Sequence, residues 1–154
     1  MRGARHNDAG LARKIEILTA VRQRHAEATE PLAVLAAFGG CEMVVMVGAM
    51  LEAAARRMVI VNDGFIVTAA LLVASRLNSR VLDYVVFAHE SEEQAHARLV
   101  AALGGSPLLH LGLRLGEGSG AVLAWPLLQA AVNFIEEMAT FESAGVDNRE
   151  EPLA

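Results

Sequence analysis

The chain has one cysteine, Cys41, in 154 residues. No disulfide can close within it. That excludes a stapled secreted scaffold and suits a reducing compartment, the cytoplasm. Long apolar runs are also missing. The longest uncharged stretch, Gly118 to Ile135, is broken by Ser119, Gly120, Pro126, Gln129 and Asn133. A helix that crosses a bilayer needs about 20 predominantly apolar residues, so no membrane partner is expected. Arg2 and Arg5 are not followed by the apolar core of a signal peptide. Basic charge is scarce and scattered, with 13 Lys and Arg against 18 Asp and Glu and a formal net charge of −5. Arg56-Arg57 is only a short pair, and no basic stripe interleaves with aromatics. Nucleic acid is therefore not an expected partner.

What the chain has in quantity is apolar character, 54% of residues and a mean hydropathy of +0.37. This exceeds the usual soluble domain. Either both faces of a parallel sheet are covered, or some apolar surface awaits a partner. The length fits one domain with a sizeable core.

The pattern predicts alternating strands and helices. Leu11, Ile15, Leu18 and Val21 recur at helical spacing within residues 9–27, an amphipathic helix. A short helix follows Pro31 and ends at Gly39-Gly40, and a third spans 42–57, thinned by Gly48, Ala49, Ala53, Ala54 and Ala55. The run "MVIVND" at 58–63 reads as a buried strand, "IVTAALLVASRL" as helix and "YVVFA" at 84–88 as a second strand. A helix is expected over 91–103, a weaker third strand over 107–111 and a long helix to 141. This order predicts an α/β fold, a parallel sheet with flanking helices in a Rossmann-like three-layer arrangement. Ligands in such sheets bind beyond the carboxyl ends of the strands. Three polar loops fall there: "NDGF" at 62–65, "AHESEE" at 88–93 and "GLRLGEGSGA" at 112–121.

Each loop has a plain reading beside a chemical one. Gly116-x-Gly118-x-x-Ala121 fits a loose dinucleotide pattern, but Glu117 would set a negative charge beside the pyrophosphate. In "HESEEQAH", His89 and His96 lie two helical turns apart with Glu92 and Glu93 between them. A zinc-protease pattern would need histidine where Glu93 stands. A solvated helix start capped by Ser91 accounts for the same residues. Asp63-Gly64 is either a common turn or a sheet-edge carboxylate. His110 reads as a structural polar residue, and Cys41 has no nearby histidine to activate it. Ser119 sits in no nucleophile elbow, since Glu117 and Ala121 replace the two glycines required. Glu117 is the anomaly: a lone carboxylate between Gly116 and Gly118 suits a flat ligand at close range better than it suits solvent.

The segments "ARKIEIL", "FGGCEMVVMVGAMLEAAARRM", "DGFIVTAALL", "FAHESEEQAH", "LGLRLGEGSGA" and "EMATFESAGV" resemble, in order, the carboxyl half of the nicotinate-nucleotide–dimethylbenzimidazole phosphoribosyltransferases, the CobT family. The resemblance covers residues 2–146; residues 1–146 are expected to form part of the family domain and 147–154 a frayed tail. It implies transfer of phosphoribose from nicotinate mononucleotide to 5,6-dimethylbenzimidazole, giving α-ribazole 5′-phosphate and nicotinate, without metal or redox cofactor. It maps the general base onto Glu117 and a phosphate-side contact onto Lys14. Asp63, His89, Leu115, Gly116 and Gly118 fall in the matching substrate-binding loops. The family's "EMGIGNT"-type stretch has no counterpart here, and "MRGARHNDAG" departs from its "GRGTG" segment. The resemblance therefore implies a partial family domain, partnered as a homodimer or by an amino-terminal half. The alternative is a truncated, non-catalytic remnant that binds a base or a partner chain.

Overall fold

A computed structural model describes residues 8–113 and 117–146. The elements run α1 (Asp8–Arg24), α2 (Pro31–Phe38), α3 (Cys41–Ala55), β1 (Ile60–Asp63), α4 (Phe65–Leu77), a 3-10 helix (Ser79–Tyr84), β2 (Val85–His89), α5 (Gln94–Ala102) and α6 (Ser119–Glu137). β1 and β2 pair in parallel, Ile60 with Val85 through Asp63 with His89, with an irregularity between Asn62 and Asp63. The alternation of strand and helix is the one the sequence predicts.

The expected third strand is reduced to a bridge. Leu109 pairs with His89, while Leu108 N donates to Phe87 O at 2.9 Å and Leu109 N to Ala88 O at 3.0 Å. Pro107 has no N–H to extend the ladder, and Gly112 turns the chain away at φ 64. Helix boundaries shift for similar local reasons. α3 stops two residues early because Arg57 takes a positive φ of 58. α5 begins at Gln94, with Glu93 rather than Ser91 at its N-cap position. α6 ends at Glu137, since Met138 is already extended.

The core lies on one face of the sheet. Leu35, Val47, Met50, Ala70, Leu71, Ala74, Val81, Phe87 and Val100 form it, with Ile60 and Val85 packed against it. α3 packs chiefly on α4 and the 3-10 helix, through Val47, Met50 and Ala54, while its Gly48 and Ala49 are exposed and take no part in that approach. α6 lies across β1 and β2, and Val61, Ala121, Val122 and Trp125 line one recess there. Alternate strand residues thus face different helices, as the pleat requires.

Two helices leave apolar residues bare. Every residue of α1 from Leu11 to Arg24 is exposed, including Ile15 at 56% and Leu18 at 56%. On α6, Trp125, Phe134 and Ile135 are exposed, the last at 86%. Among the described residues no helix is long and apolar enough to cross a membrane. Unpartnered apolar surface of this kind predicts self-association and binding of a hydrophobic dye. Light scattering and dye fluorescence on the purified chain check this; a compact monomer that binds no dye would contradict it. Within the core, Leu71 is fully buried, so Leu71→Ala should cost about 2–5 kcal/mol in denaturant unfolding. Val122→Ala, at a residue 73% exposed, should stay within about 0.5 kcal/mol.

Candidate active site

The carboxyl ends of β1 and β2 carry Asn62, Asp63 and His89, and α6 starts beside them. The join is direct. Asp63 Oδ2 accepts from Gly120 N at 2.8 Å and from Ala121 N at 3.2 Å. These are the second and third residues of α6, whose amides have no partner within the helix. A carboxylate there also meets the positive end of the helix dipole. The local N-cap is Gly118, which has no side chain to offer. Gly120 is required by proximity: a Cβ on it would lie 2.4 Å from Asp63 Oδ1 and 2.6 Å from His89 Cβ.

Upstream of that seat the chain makes a left-handed turn. Gly118 has φ 79 and Glu117 φ 66. A non-glycine residue in this region is uncommon and strained by its Cβ. Glu117 is exposed. The Gly120 and Ala121 amides of the helix start are taken by Asp63.

Behind the edge lies a buried polar network. Thr68 Oγ1 donates to Gly64 O at 2.8 Å, and accepts from Asn62 Nδ2 at 2.7 Å. Its second acceptor site meets His96 Nε2 at 2.9 Å. His96 Nδ1 accepts from Ser91 N at 2.9 Å, so the ring is neutral with its proton on Nε2. Burial holds the His96 pKa below its usual value, against the raising influence of Glu90, Asp63 and Glu93. Both ring nitrogens serve protein hydrogen bonds, which leaves no lone pair for a metal. His89 is 3% exposed, and its Nε2, like Asn62 Oδ1, has no hydrogen-bond partner among the described residues.

The structure therefore brings Asp63, His89, Gly118 and Glu117 to one end of the sheet. It does not bring Lys14 there. Lys14 stands exposed on α1, which makes at most slight contact with the other elements. Leu115 and Gly116 lie outside the described residues. Sequence reasoning missed Asn62, Thr68 and Gly120 as organisers of the edge, and weighed His96 as a metal ligand or as part of a solvated helix start. A threonine four residues after Gly64, on a helix otherwise apolar through Ala74, was the available signal. A recess of about 770 Å³ near the end of α1, lined by Leu18, Val21 and Phe38 among others, holds none of these residues.

A family model described as phosphoribosyltransferase matches residues 1–146. That match, on a parallel sheet whose carboxyl edge carries an acid-bearing turn, defines the class. A curated relative from Ralstonia nicotianae, named nicotinate-nucleotide–dimethylbenzimidazole phosphoribosyltransferase, is 59% identical over 151 residues, covering 98% of this chain and 43% of its own length. One of the same name from Cupriavidus taiwanensis is 59% identical over 145 residues, covering 94% and 42%. The crystal structure of CobT from Thermus thermophilus superposes with a TM-score of 0.85 at 41% identity, covering 97% of this chain and 44% of that one. The chain belongs to the nicotinate-nucleotide–dimethylbenzimidazole phosphoribosyltransferase family. It spans less than half the length of the relatives it matches.

The neutral His96 makes a pH prediction. Its folded pKa lies below the unfolded value of about 6.5, so the unfolded chain binds more protons as pH falls through that range. Stability is retained above about pH 6.5 and lost below it, by up to about 1.4 kcal/mol per pH unit from this one group. Urea unfolding at pH 7, 6 and 5 should show this slope in the parent chain. His96→Gln should be less stable at pH 7 and flatter with pH; equal slopes would contradict the assignment.

Proposed function

We propose that the chain provides the base-bearing part of a phosphoribosyltransferase that moves phosphoribose from nicotinate mononucleotide to 5,6-dimethylbenzimidazole. The products are α-ribazole 5′-phosphate and nicotinate. The observation that carries this reading is the placement of Glu117. It stands on a strained, exposed turn between α5 and α6, joined to the carboxyl edge of a parallel sheet through Asp63, in a chain 59% identical to relatives bearing that name.

The chemistry fits one well-placed carboxylate. One ring nitrogen of the benzimidazole attacks the anomeric carbon with its lone pair. The bond from that carbon to the pyridinium nitrogen breaks, and its electron pair neutralises the departing nicotinate ring. The other ring nitrogen loses its proton to Glu117. Electrons and charge balance without an oxidant, a reductant or a metal. Gly118 beside the acid lets a flat bicyclic ring approach the backbone. Positive charge developing on the ribose is met by groups that are already negative or dipolar. Asp63 and His89 belong to the same edge, and His89 Nε2 is a buried polar atom with no partner among the described residues. Lys14 is assigned to the phosphate side. Its exposure on a helix in at most slight contact with the other elements supports a site completed by residues beyond this chain, whether from a second copy or from an amino-terminal portion. The share of the relatives' length that the chain spans supports the same reading.

The expected outcome has two parts. The chain alone forms no α-ribazole 5′-phosphate from the two substrates. Supplied with the remaining amino-terminal portion of the Ralstonia nicotianae relative, it does. In that mixture Glu117→Gln should lower turnover by roughly 10²–10⁴-fold, the range for loss of a general base. Its circular dichroism should match the parent's. Turnover by Glu117→Gln equal to the parent's would remove Glu117 from the role. Glu117-dependent turnover by the chain alone would show the site complete.

A further inference from the structure

We propose that Asp63 is a positioning residue for Glu117: its carboxylate holds the first turn of α6 at the end of β1, and so sets the turn that presents the acid. This rests on Glu117 as the proton acceptor.

The geometry is a short mechanical linkage. Asp63 is fixed by its pairing with His89, and its neighbour Asn62 is tied to Thr68 in the core. One oxygen of Asp63 holds Gly120 N and Ala121 N. The missing side chain at Gly120 lets the helix seat directly against Asp63 and His89. Only Gly118 and Ser119 separate that seat from Glu117, and both Gly118 and Glu117 hold left-handed backbone. No side-chain hydrogen bond from the N-cap residue competes with this arrangement. Strained backbone such as that of Glu117 persists only where the surroundings over-determine it, and this seat is one of those surroundings. Asp63 then acts on the reaction through Glu117, while its Oδ2 stays engaged with backbone.

Asp63→Ala, Asp63→Asn and Gly120→Ala in the full chain test this by backbone NMR. In Asp63→Ala the Gly120 and Ala121 amides should exchange at least about 10-fold faster, the equivalent of one lost charge-assisted bond. The Cα and Hα shifts of Glu117 should leave their left-handed values. Asp63→Asn keeps the acceptor oxygen without the charge and should fall between. Gly120→Ala keeps Asp63 itself but sets a Cβ against its carboxylate, and should move the Glu117 shifts. A folded Asp63→Ala with parent exchange and parent Glu117 shifts overturns the proposal. Should that variant fail to fold, unchanged Glu117 shifts in both Asp63→Asn and Gly120→Ala overturn it.

In the completed transfer assay, Asp63→Ala should lower kcat by roughly 10²-fold, the scale of an ångström-level misplacement. KM for nicotinate mononucleotide should stay within about 2-fold, since uniform binding is untouched, and Asp63→Asn should recover part of kcat. Parent kcat beside displaced Glu117 shifts also overturns the proposal. Glu117→Gln with parent turnover instead sinks the base assignment, and it leaves the exchange rates of Gly120 and Ala121 where they were.

Discussion

One carboxylate at the end of a strand captures the opening amides of a helix that begins more than fifty residues later in the chain. The pair Asp63 and Gly120 is 57 residues apart in sequence and 2.8 Å apart in space. Much else depends on it. It anchors α6 across the open face of the sheet, and so makes a third layer where there would otherwise be a bare one. It closes a helix start that has no local side-chain cap. It also brings the acidic turn to the strand ends, where ligands meet parallel sheets.

The edge is stiff because polar atoms behind it are matched. A threonine hydroxyl has one proton to give and two lone pairs to fill, and Thr68 uses all three. Through His96 the same cluster reaches the Ser91 amide, so the loop after β2 is tied to the loop after β1. Buried networks of this kind specify one arrangement because a half-made version leaves desolvated groups unpaired. Gly64 contributes a backbone conformation of φ 89 and ψ 164, open to glycine alone. The sheet end is thus a rigid frame on which the few exposed groups ride.

Much of this fold was legible in the chain itself. The β-branched run before Asp63 and the apolar run before His89 marked both strands, and their alternation with helices marked the parallel pairing. The third strand shrinks to a bridge because its apolar run contains Pro107 and so lacks a donor, which composition hides. The site was legible as three separate motifs, and their contact was not. Asp63 and Thr68 come from "DGFIVTAALL", His89 and His96 from "FAHESEEQAH", and Gly120 and Ala121 from "LGLRLGEGSGA". No local spacing rule says that the first motif caps the helix of the third. Nor does it say that His96, which looks like a ligand in the linear pattern, is a neutral core hydrogen-bonder. Gly120 carries no chemical signal at all until the atoms it would strike are in view.

The bare sides of α1 and α6 change what kind of quantity this chain's stability is. Apolar contacts that such helices make within one chain count toward a unimolecular equilibrium. In a chain of this span, any contact made with another molecule enters as association instead. Its contribution then grows with the logarithm of the partner's concentration. Where another molecule covers Ile15, Phe134 and Ile135, the midpoint of unfolding becomes a function of molarity. Under such association dilution acts as a denaturant, which it does not in a unimolecular equilibrium.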